Sequence, residues 1–207
     1  MAIFADRVDA GRQLAATLTA WRGTDAVVLG IPRGGVVVAA EVARTLQLPL
    51  GVAVARKLGV PWHEELALGA IADGVRVVSP DAVRGSGVTP EQLAFVEDVE
   101  RVELRRREEL FGTTLDQVRG RTAIVVDDGV ATGATATAAC QAVRTQGAVR
   151  VVLAVPVAPA RWRSEAGVID EVVCLHREED FWSVGQFYDD FSQIADAEVV
   201  HLLAGSH

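Results

Sequence analysis

The chain has 207 residues, of which 50% are hydrophobic and 23% are charged, so it can bury a sizeable core and is not disordered. Its formal net charge of −8 argues against a general nucleic-acid binder, because such proteins present a basic face. The N-terminal stretch MAIFADRVDAGRQL lacks a signal core, and the longest apolar run, VVLAVPVAPA, is too short to span a membrane. We therefore expect a cytoplasmic protein with no membrane partner.

Helical and strand patterns alternate along the chain. RQLAATLTAW predicts a helix and AVVLGI a strand, and the alternation continues through GVVVAAEVARTLQ, LGVAVAR, TAIVVDD, GATATAACQAVRTQ, VRVVLAVPV, a short helix near ARWRSEA, and VIDEVVCLH. Because these strands are apolar on both faces, they predict an α/β fold in which helices flank both faces of a parallel sheet. Ligands of such sheets bind at the carboxyl ends of the strands.

The segment 57–112 departs from this alternation. ELALGAIADGVRVVSP predicts a pair of short strands that turn at Asp73-Gly74. A long helix follows, which Thr89 caps and Gly112 ends. Its mixed charges are typical of a solvated face, and a dimer contact is the alternative. The helix has a partial apolar face made of Leu93, Val96, Val99 and Leu110.

Two adjacent acids follow the buried strand in AIVVDDGVATGAT. Asp127 and Asp128 would repel each other, so we expect a partner that both can serve, either a vicinal diol or a metal ion. The loop ATGAT then turns into a helix, where backbone N–H groups and the helix N-terminus form an anion site. A diol beside a phosphate describes ribose 5-phosphate. The alternative is an ordinary strand-to-helix turn.

This segment resembles the phosphoribosyl-pyrophosphate motif of the type I phosphoribosyltransferases, and the resemblance covers about residues 25–175. It implies an enzyme of nucleotide metabolism that transfers ribose 5-phosphate from phosphoribosyl pyrophosphate to a small heterocyclic or amine acceptor and releases pyrophosphate. Mg²⁺ is the implied cofactor and a homodimer the implied assembly. Asp127 and Asp128 would hold the ribose hydroxyls and reach Mg²⁺ directly or through water. The 5-phosphate would be bound by Ala131, Thr132, Gly133, Ala134 and Thr135.

Two further loops carry cations at the expected ligand side. In GIPRGGVVVA, the glycines Gly34 and Gly35 expose backbone N–H groups and Arg33 supplies a positive charge. Similar enzymes bind pyrophosphate here, often through an unusual peptide geometry, and a simple packing turn is the alternative. In RKLGVP, we expect Arg56 and Lys57, the one lysine of the chain, at the carboxyl end of a strand. The resemblance implies that they neutralise the leaving pyrophosphate; a solvated loop is the alternative.

The stretch HREEDFWSVGQFYDDF concentrates aromatic residues after the final predicted strand. In similar enzymes a hood at this place covers the acceptor, and flat aromatic faces stack on heterocycles. Trp182 and Tyr188 are the candidates, and a small satellite core is the alternative. We therefore expect one phosphoribosyltransferase domain over residues 1–207, with 57–112 inserted and 176–207 forming the hood and the C-terminal segment.

Several functions compete with this interpretation. A non-catalytic regulatory protein that senses phosphoribosyl pyrophosphate remains open. A phosphoribosyl-pyrophosphate synthetase would need an ATP site, and a kinase-type P-loop would need the Gly-Lys-Thr/Ser sequence that is missing here. Enzymes for 6-oxopurines carry an acid where this chain has Ala131, so the sequence is closer to the adenine and orotate enzymes. The general base is unassigned among His63, Glu64 and Glu65.

Overall fold

The computed structural model describes residues 2–112, 115–164 and 167–205, without the side chains of residues 64, 65, 115 and 116. The helices are α1 (Arg7–Thr17), α2 (Gly34–Leu46), α3 (Pro80–Ser86), α4 (Pro90–Phe111), α5 (Ala134–Thr145) and α6 (Asp196–Ala204). The strands are β1 (Val27–Gly30), β2 (Leu50–Val52), β3 (Ala55–Val60), β4 (His63–Ala72), β5 (Val75–Val78), β6 (Thr122–Val126), β7 (Arg150–Pro159) and β8 (Glu171–Glu178).

A five-stranded parallel sheet forms the centre of the fold, in the order β2-β1-β6-β7-β8. Val28 and Ile124 face one side, where they pack with the apolar residues of α1 and α2. Val27 and Val125 face the other side, where they pack with the alanines of α5 and with the second sheet. Strands buried on both faces are typical of a covered parallel sheet, so this part of the prediction is confirmed.

The predicted strand LGVAVAR is two strands in two sheets. The chain leaves the central sheet after Val52, and β3 begins at Ala55 in an antiparallel sheet of order β3-β4-β5. Arg56 and Lys57 therefore lie within β3 and not at the carboxyl end of a central strand, which corrects the prediction. The residues on both sides of the change are apolar, so their periodicity could not mark it. The turn at Asp73-Gly74 is confirmed, because Ala72 pairs with Val75.

The long helix α4 has the predicted ends but a different buried face. Thr89 and Gln92 form a capping box and Gly112 follows the last turn. Leu93 is buried as expected, but Val99 and Leu110 are exposed, and the buried face also includes Leu104, Arg107 and Phe111. The short helix expected near ARWRSEA is wrong for residues 160–164, which form a turn and irregular backbone. None of the helices in the described ranges is both long and apolar enough to cross a bilayer.

The N-terminal segment pairs with the segment that follows β8. The amides of Ile3 and Phe4 both donate to the carbonyl of Phe187 at 2.9 Å, and the amide of Asp189 donates to the carbonyl of Phe4 at 2.9 Å. This pairing carries the start of α1 to the carboxyl edge of the central sheet. Residues near both ends of the described chain are thereby placed beside the strand ends where ligands bind.

Candidate functional site

The two adjacent aspartates stand directly after β6, at the carboxyl edge of the sheet. Asp127 lines a cavity of about 150 Å³ together with Lys57 and the loop that leads into α5. Burial, followed by the charge of Asp128, raises the pKa of Asp127 well above its ordinary value. Its Oδ1 accepts a hydrogen bond of 2.9 Å from the amide of Asp128. Asp127 is thus a desolvated carboxylate facing a space that a ligand can enter.

Asp128 has a cationic partner that the sequence analysis missed. Nε of Arg7 donates to Oδ2 of Asp128 at 2.8 Å, and both side chains are largely buried. Nη1 of Arg7 donates to the carbonyl of Ser192 at 2.9 Å, and its guanidinium lies 3.8 Å from the ring centroid of Phe191. Burial raises the pKa of Asp128, and the charge of Arg7 opposes that rise. Arg7 therefore favours the ionised carboxylate.

The glycines of the first loop pack directly on the acidic pair. A Cβ on Gly34 would overlap Oδ2 of Asp128 and lie 2.6 Å from Nε of Arg7. A Cβ on Gly35 would lie 2.9 Å from Oδ1 of Asp127. Only glycine permits this approach of loop and carboxylates. The peptide bond between Pro32 and Arg33 is cis, an unusual peptide geometry of the kind that the resemblance implied here.

The loop into α5 has the form of an anion site. Gly133 is the N-cap with φ of 85° and has no side chain to cap the helix, and the first N–H group, that of Ala134, makes only a long hydrogen bond of 3.5 Å to Oγ1 of Thr132. Free N–H groups and the helix dipole at such an N-terminus attract a phosphate. Trp162 supports the loop from outside, because its indole N–H donates to the carbonyl of Thr132 at 3.3 Å. A Cβ on Gly133 would overlap that indole ring.

The three predicted cations have different surroundings. Nη1 of Arg33 lies 3.4 Å from Oδ1 of Asp196 at the start of α6, and Nε of Arg56 lies 2.7 Å from Oε2 of Glu100 on α4. Both guanidinium groups are therefore held in ion pairs. Lys57 instead lines the cavity that holds Asp127. The structure brings Lys57 to the acidic pair although β3 belongs to the second sheet.

Comparisons with known proteins show the family of the chain. A family model described as the phosphoribosyl transferase domain matches residues 3–192. The chain belongs to the type I phosphoribosyltransferase family. The "Putative phosphoribosyl transferase Rv0571c" of Mycobacterium tuberculosis H37Rv is 53% identical over 214 residues, which cover 100% of this chain and 48% of that protein. The chain spans about half the length of the curated relatives it matches.

Solved structures share this phosphoribosyltransferase fold. The crystal structure of TT1426 from Thermus thermophilus is 40% identical, with a TM-score of 0.71, and the match covers 100% of this chain and 99% of that one. A hypothetical protein from Neisseria gonorrhoeae with bound ppGpp is 15% identical, with a TM-score of 0.52, and the match covers 100% and 98%. The second similarity is one of fold alone.

Most aromatic residues of the segment that we expected to form a hood are packed against each other. Tyr188 is 5% exposed, packs against Phe4 and Phe191, and donates its hydroxyl to the carbonyl of Asp128 at 2.6 Å. Little of its ring is left to stack on an acceptor, so its position corrects the stacking role that we expected. Burial raises the pKa of Tyr188, which keeps the donating proton in place. Trp182 differs, because it is 90% exposed.

The candidates for a general base are not brought to the acidic pair by any described contact. His63 is exposed at the start of β4, where it pairs with Val60. The side chains of Glu64 and Glu65 lie outside the described residues. Ala131 lines the cavity beside Asp127 and presents a methyl group there. The position that holds an acid in 6-oxopurine enzymes is therefore apolar in this site.

Proposed function

We propose that this chain transfers the ribose 5-phosphate group of phosphoribosyl pyrophosphate to a nitrogen acceptor and releases pyrophosphate, as a pentosyltransferase of nucleotide metabolism. The observation that carries the proposal is the contact of Gly34 and Gly35 with Asp127 and Asp128, at the edge of the sheet where Gly133 begins α5. The acidic pair, the loop into α5 and the glycines Gly34 and Gly35 meet at one edge of the sheet, and we assign them to the sugar, the 5-phosphate and the pyrophosphate. These are the three groups that a sugar bearing phosphate and pyrophosphate requires.

Each part of the substrate has a proposed partner. The 5-phosphate binds the N–H groups of residues 131–135, with the hydroxyls of Thr132 and Thr135 as further donors. The ribose hydroxyls donate to Asp127 and Asp128. Pyrophosphate binds the loop Arg33-Gly34-Gly35, and Lys57 reaches it from β3. Departure of pyrophosphate leaves positive charge on the ribose, so fixed cations at the leaving group and carboxylates near the sugar both stabilise the transition state.

Mg²⁺ is the proposed cofactor, and the acidic pair suits it. Mg²⁺ prefers oxygen ligands and commonly takes one or two carboxylates together with substrate phosphates and water. Among the residues that the structure describes, no three His, Cys, Asp or Glu side chains converge on one point. Asp127 and Asp128 would therefore hold the ion with substrate oxygens, directly or through water. Bound Mg²⁺ would neutralise charge on the pyrophosphate.

The acceptor is proposed to be a small heterocycle or an amine. The methyl group of Ala131 offers no acid to a 6-oxopurine, and the exposed indole of Trp182 offers an open aromatic face near the hood. We further propose that residues 1–207 act as one domain, with 57–112 inserted and 176–207 as hood and C-terminal segment. The proposed location is the cytoplasm and the proposed assembly a homodimer.

A second candidate is a phosphoribosyl-pyrophosphate sensor without turnover. The observation that favours it is the engagement of Arg33 with Asp196 and of Arg56 with Glu100, which leaves these cations turned to protein carboxylates. A sensor needs to bind phosphoribosyl pyrophosphate tightly, but it needs no cation that promotes the departure of pyrophosphate. The two functions differ in one product, because only the transferase releases pyrophosphate when an acceptor is supplied.

Calorimetric titration with phosphoribosyl pyrophosphate and Mg²⁺ tests the site, with ribose 5-phosphate as the reference ligand. We expect Mg²⁺-dependent binding in the wild type, no binding in Asp127→Asn/Asp128→Asn, and wild-type binding in Asp25→Asn, an exposed control. Unchanged binding in the double variant would refute the assignment. Pyrophosphate release is then measured with candidate nitrogen acceptors. Release supports the transferase, and binding without release across adenine, orotate and simple amines supports the sensor.

A further inference from the structure

The outer face of α4 presents three apolar side chains to solvent. Phe95, Val99 and Val102 are 69%, 51% and 61% exposed. Their spacing of four and three residues places them on one side of the helix. Phe95 and Val99 also line a groove of about 560 Å³ with Pro61, and the neighbouring Trp62 is 60% exposed. Apolar side chains clustered in this way mark an interaction surface more often than scattered ones do.

Charges flank this apolar stripe with opposite signs. Asp98 lies between Phe95 and Val99, and Arg105 lies one turn after Val102; both are exposed. Neither forms an ion pair in the described ranges, whereas Glu97 and Glu100 are paired with arginines of the second sheet. Val99 and Val102 are thus flanked along the helix by an exposed acid, Asp98, and an exposed base, Arg105.

This order of charges is complementary to itself in the antiparallel direction. At a rise of about 1.5 Å per residue, Asp98 lies about 6 Å before Val102 and Arg105 about 4.5 Å after it. A second α4 that runs in the opposite direction, with a two-fold axis near Val102, would place its Arg105 opposite Asp98 and its Asp98 opposite Arg105. A parallel neighbour would instead place like charges together.

We propose that α4 is the contact surface of a homodimer, in which it pairs antiparallel with α4 of a second copy. The contact is isologous, because both copies use the same surface and each contact between two residues occurs twice, once on either side of the two-fold axis. Val99 and Val102 form its centre, and Phe95 packs against the second copy from each side. This surface specifies the contact of the homodimer proposed above and rests on that part of the proposed function, but it does not depend on ligand binding.

The proposed contact also adjoins the strand that carries Lys57. The groove beside α4 is lined by Arg56 and Lys57, and Glu100 on α4 holds Arg56. The second copy would cover the open side of this groove. It would therefore restrict β3, from which Lys57 reaches the cavity of Asp127.

Sedimentation equilibrium of matched variants tests the apolar part. Val102 and Val149 are similarly exposed, at 61% and 65%, and Val149 lies outside α4. We expect a dimer for the wild type and for Val149→Glu and a monomer for Val102→Glu, with circular dichroism confirming that all three are folded. A monomeric wild type or a dimeric Val102→Glu would overturn the proposal, including the case in which another protein covers this face.

A charge exchange tests the direction of pairing and does not need the valine variant. Asp98→Arg and Arg105→Asp alone each place like charges together at both contacts, so each is expected to sediment as a monomer. In an equal mixture, both contacts between the two variants are attractive, and the dimer is expected to return. A mixture that stays monomeric, or single variants that remain dimeric, would refute the antiparallel contact.

Discussion

Arg7 and Asp128 are 121 positions apart in the chain and form a largely buried ion pair, with Nε of Arg7 2.8 Å from Oδ2 of Asp128. Arg7 opens α1, and Asp128 follows the central strand β6. The pair joins the N-terminal helix to one of the two carboxylates that we propose to hold the sugar. A buried carboxylate costs free energy unless a cation and hydrogen bonds compensate it, so Arg7 is expected to matter for stability as well as for binding.

Replacing Arg7 by methionine keeps much of the side-chain volume and removes the charge. We expect Arg7→Met to lower the free energy of unfolding by about 3 kcal/mol, because Asp128 is left buried without its cation. Urea unfolding at neutral pH measures the loss. Arg12→Met on the same helix is the control: Arg12 pairs with Glu41 but is 63% exposed, so its loss should cost about 0–1 kcal/mol.

The double variant Arg7→Met/Asp128→Asn separates the free energy of the ion pair from that of the other contacts of Arg7. Because the asparagine carries no charge that needs Arg7, the double variant should be more stable than the sum of the two single losses predicts, by about 1 kcal/mol or more. Strict additivity would show that Arg7 stabilises the fold through contacts other than Asp128.

Gly34 should be intolerant of the smallest side chain. A Cβ there would overlap Oδ2 of Asp128 and approach Nε of Arg7, so Gly34→Ala should separate the ion pair and cost about 2 kcal/mol of stability. It should also weaken binding of phosphoribosyl pyrophosphate. Gly85→Ala on α3 is the control, because nothing lies within 4 Å of the added atom. Equal thermal stability of both variants would contradict the close packing of the first loop on Asp128.

Lys57 and its neighbour Arg56 should differ in their effects on turnover. Lys57 lines the cavity of Asp127, whereas Arg56 is paired with Glu100. We expect Lys57→Ala to slow pyrophosphate release far more than it weakens binding of phosphoribosyl pyrophosphate, since a cation at the leaving group acts mainly in the transition state. Single-turnover kinetics and calorimetry measure the two effects.

Arg56→Ala serves as the matched control for Lys57→Ala. It removes a positive charge one residue away, and we expect its main effect on the packing of β3 against α4. Equal effects of Lys57→Ala on binding and on release would count against a role at the leaving group.

Glu103 should give the protein a stability that depends on acid pH. The hydrogen bond from Arg106, with a further contribution from Arg107, lowers the pKa of Glu103 from 4.5 to about 2. A lowered folded pKa means that the stabilisation is present above pH 4.5 and is lost as the pH falls towards 2. Because the side chain is 29% exposed, solvent screening limits the effect to about 1 kcal/mol.

Thermal unfolding of Glu103→Gln over this pH range tests the prediction. The variant should be less stable than the wild type at neutral pH, and the two should converge as the pH falls below about 4.5. Glu109→Gln, at an exposed position of the same helix, should follow the wild type throughout. A difference between Glu103→Gln and the wild type that does not change with pH would refute the electrostatic cause.

The central sheet could be predicted because its strands are apolar on both faces and end in loops with recognisable chemistry. The glycines Gly34 and Gly35 follow the apolar strand β1, and Asp127 and Asp128 follow the apolar strand β6, so their meeting follows from parallel strands that end at the same edge. The long helix was equally predictable, because Thr89, Gln92 and Gly112 mark its ends locally.

The other parts of the site depend on tertiary contacts that no local pattern records. In the sequence Arg7 is an ordinary first-turn arginine, and only the docking of α1 beside β6 gives it a buried partner. In the sequence Tyr188 is a candidate for stacking on a ligand, but in the fold its ring packs against Phe4. Trp162 lies in an irregular stretch, and only the fold shows its indole against Gly133. The apolar run from Leu50 to Ala55 shows no break in periodicity where the chain changes sheets.

The pairing of residues 3–7 with residues 187–192 has a consequence for biosynthesis. Arg7 is synthesised before the central sheet, whereas its acceptor at Ser192 and its aromatic neighbour Phe191 are synthesised after every strand of that sheet. Asp128 accordingly acquires its final surroundings only after residues 191 and 192 have been synthesised. A nascent chain stalled before residue 187 would hold the sheet and the loop into α5 while Arg7 and Asp128 still lacked these neighbours, so the proposed sugar site would be completed only after the central sheet has formed.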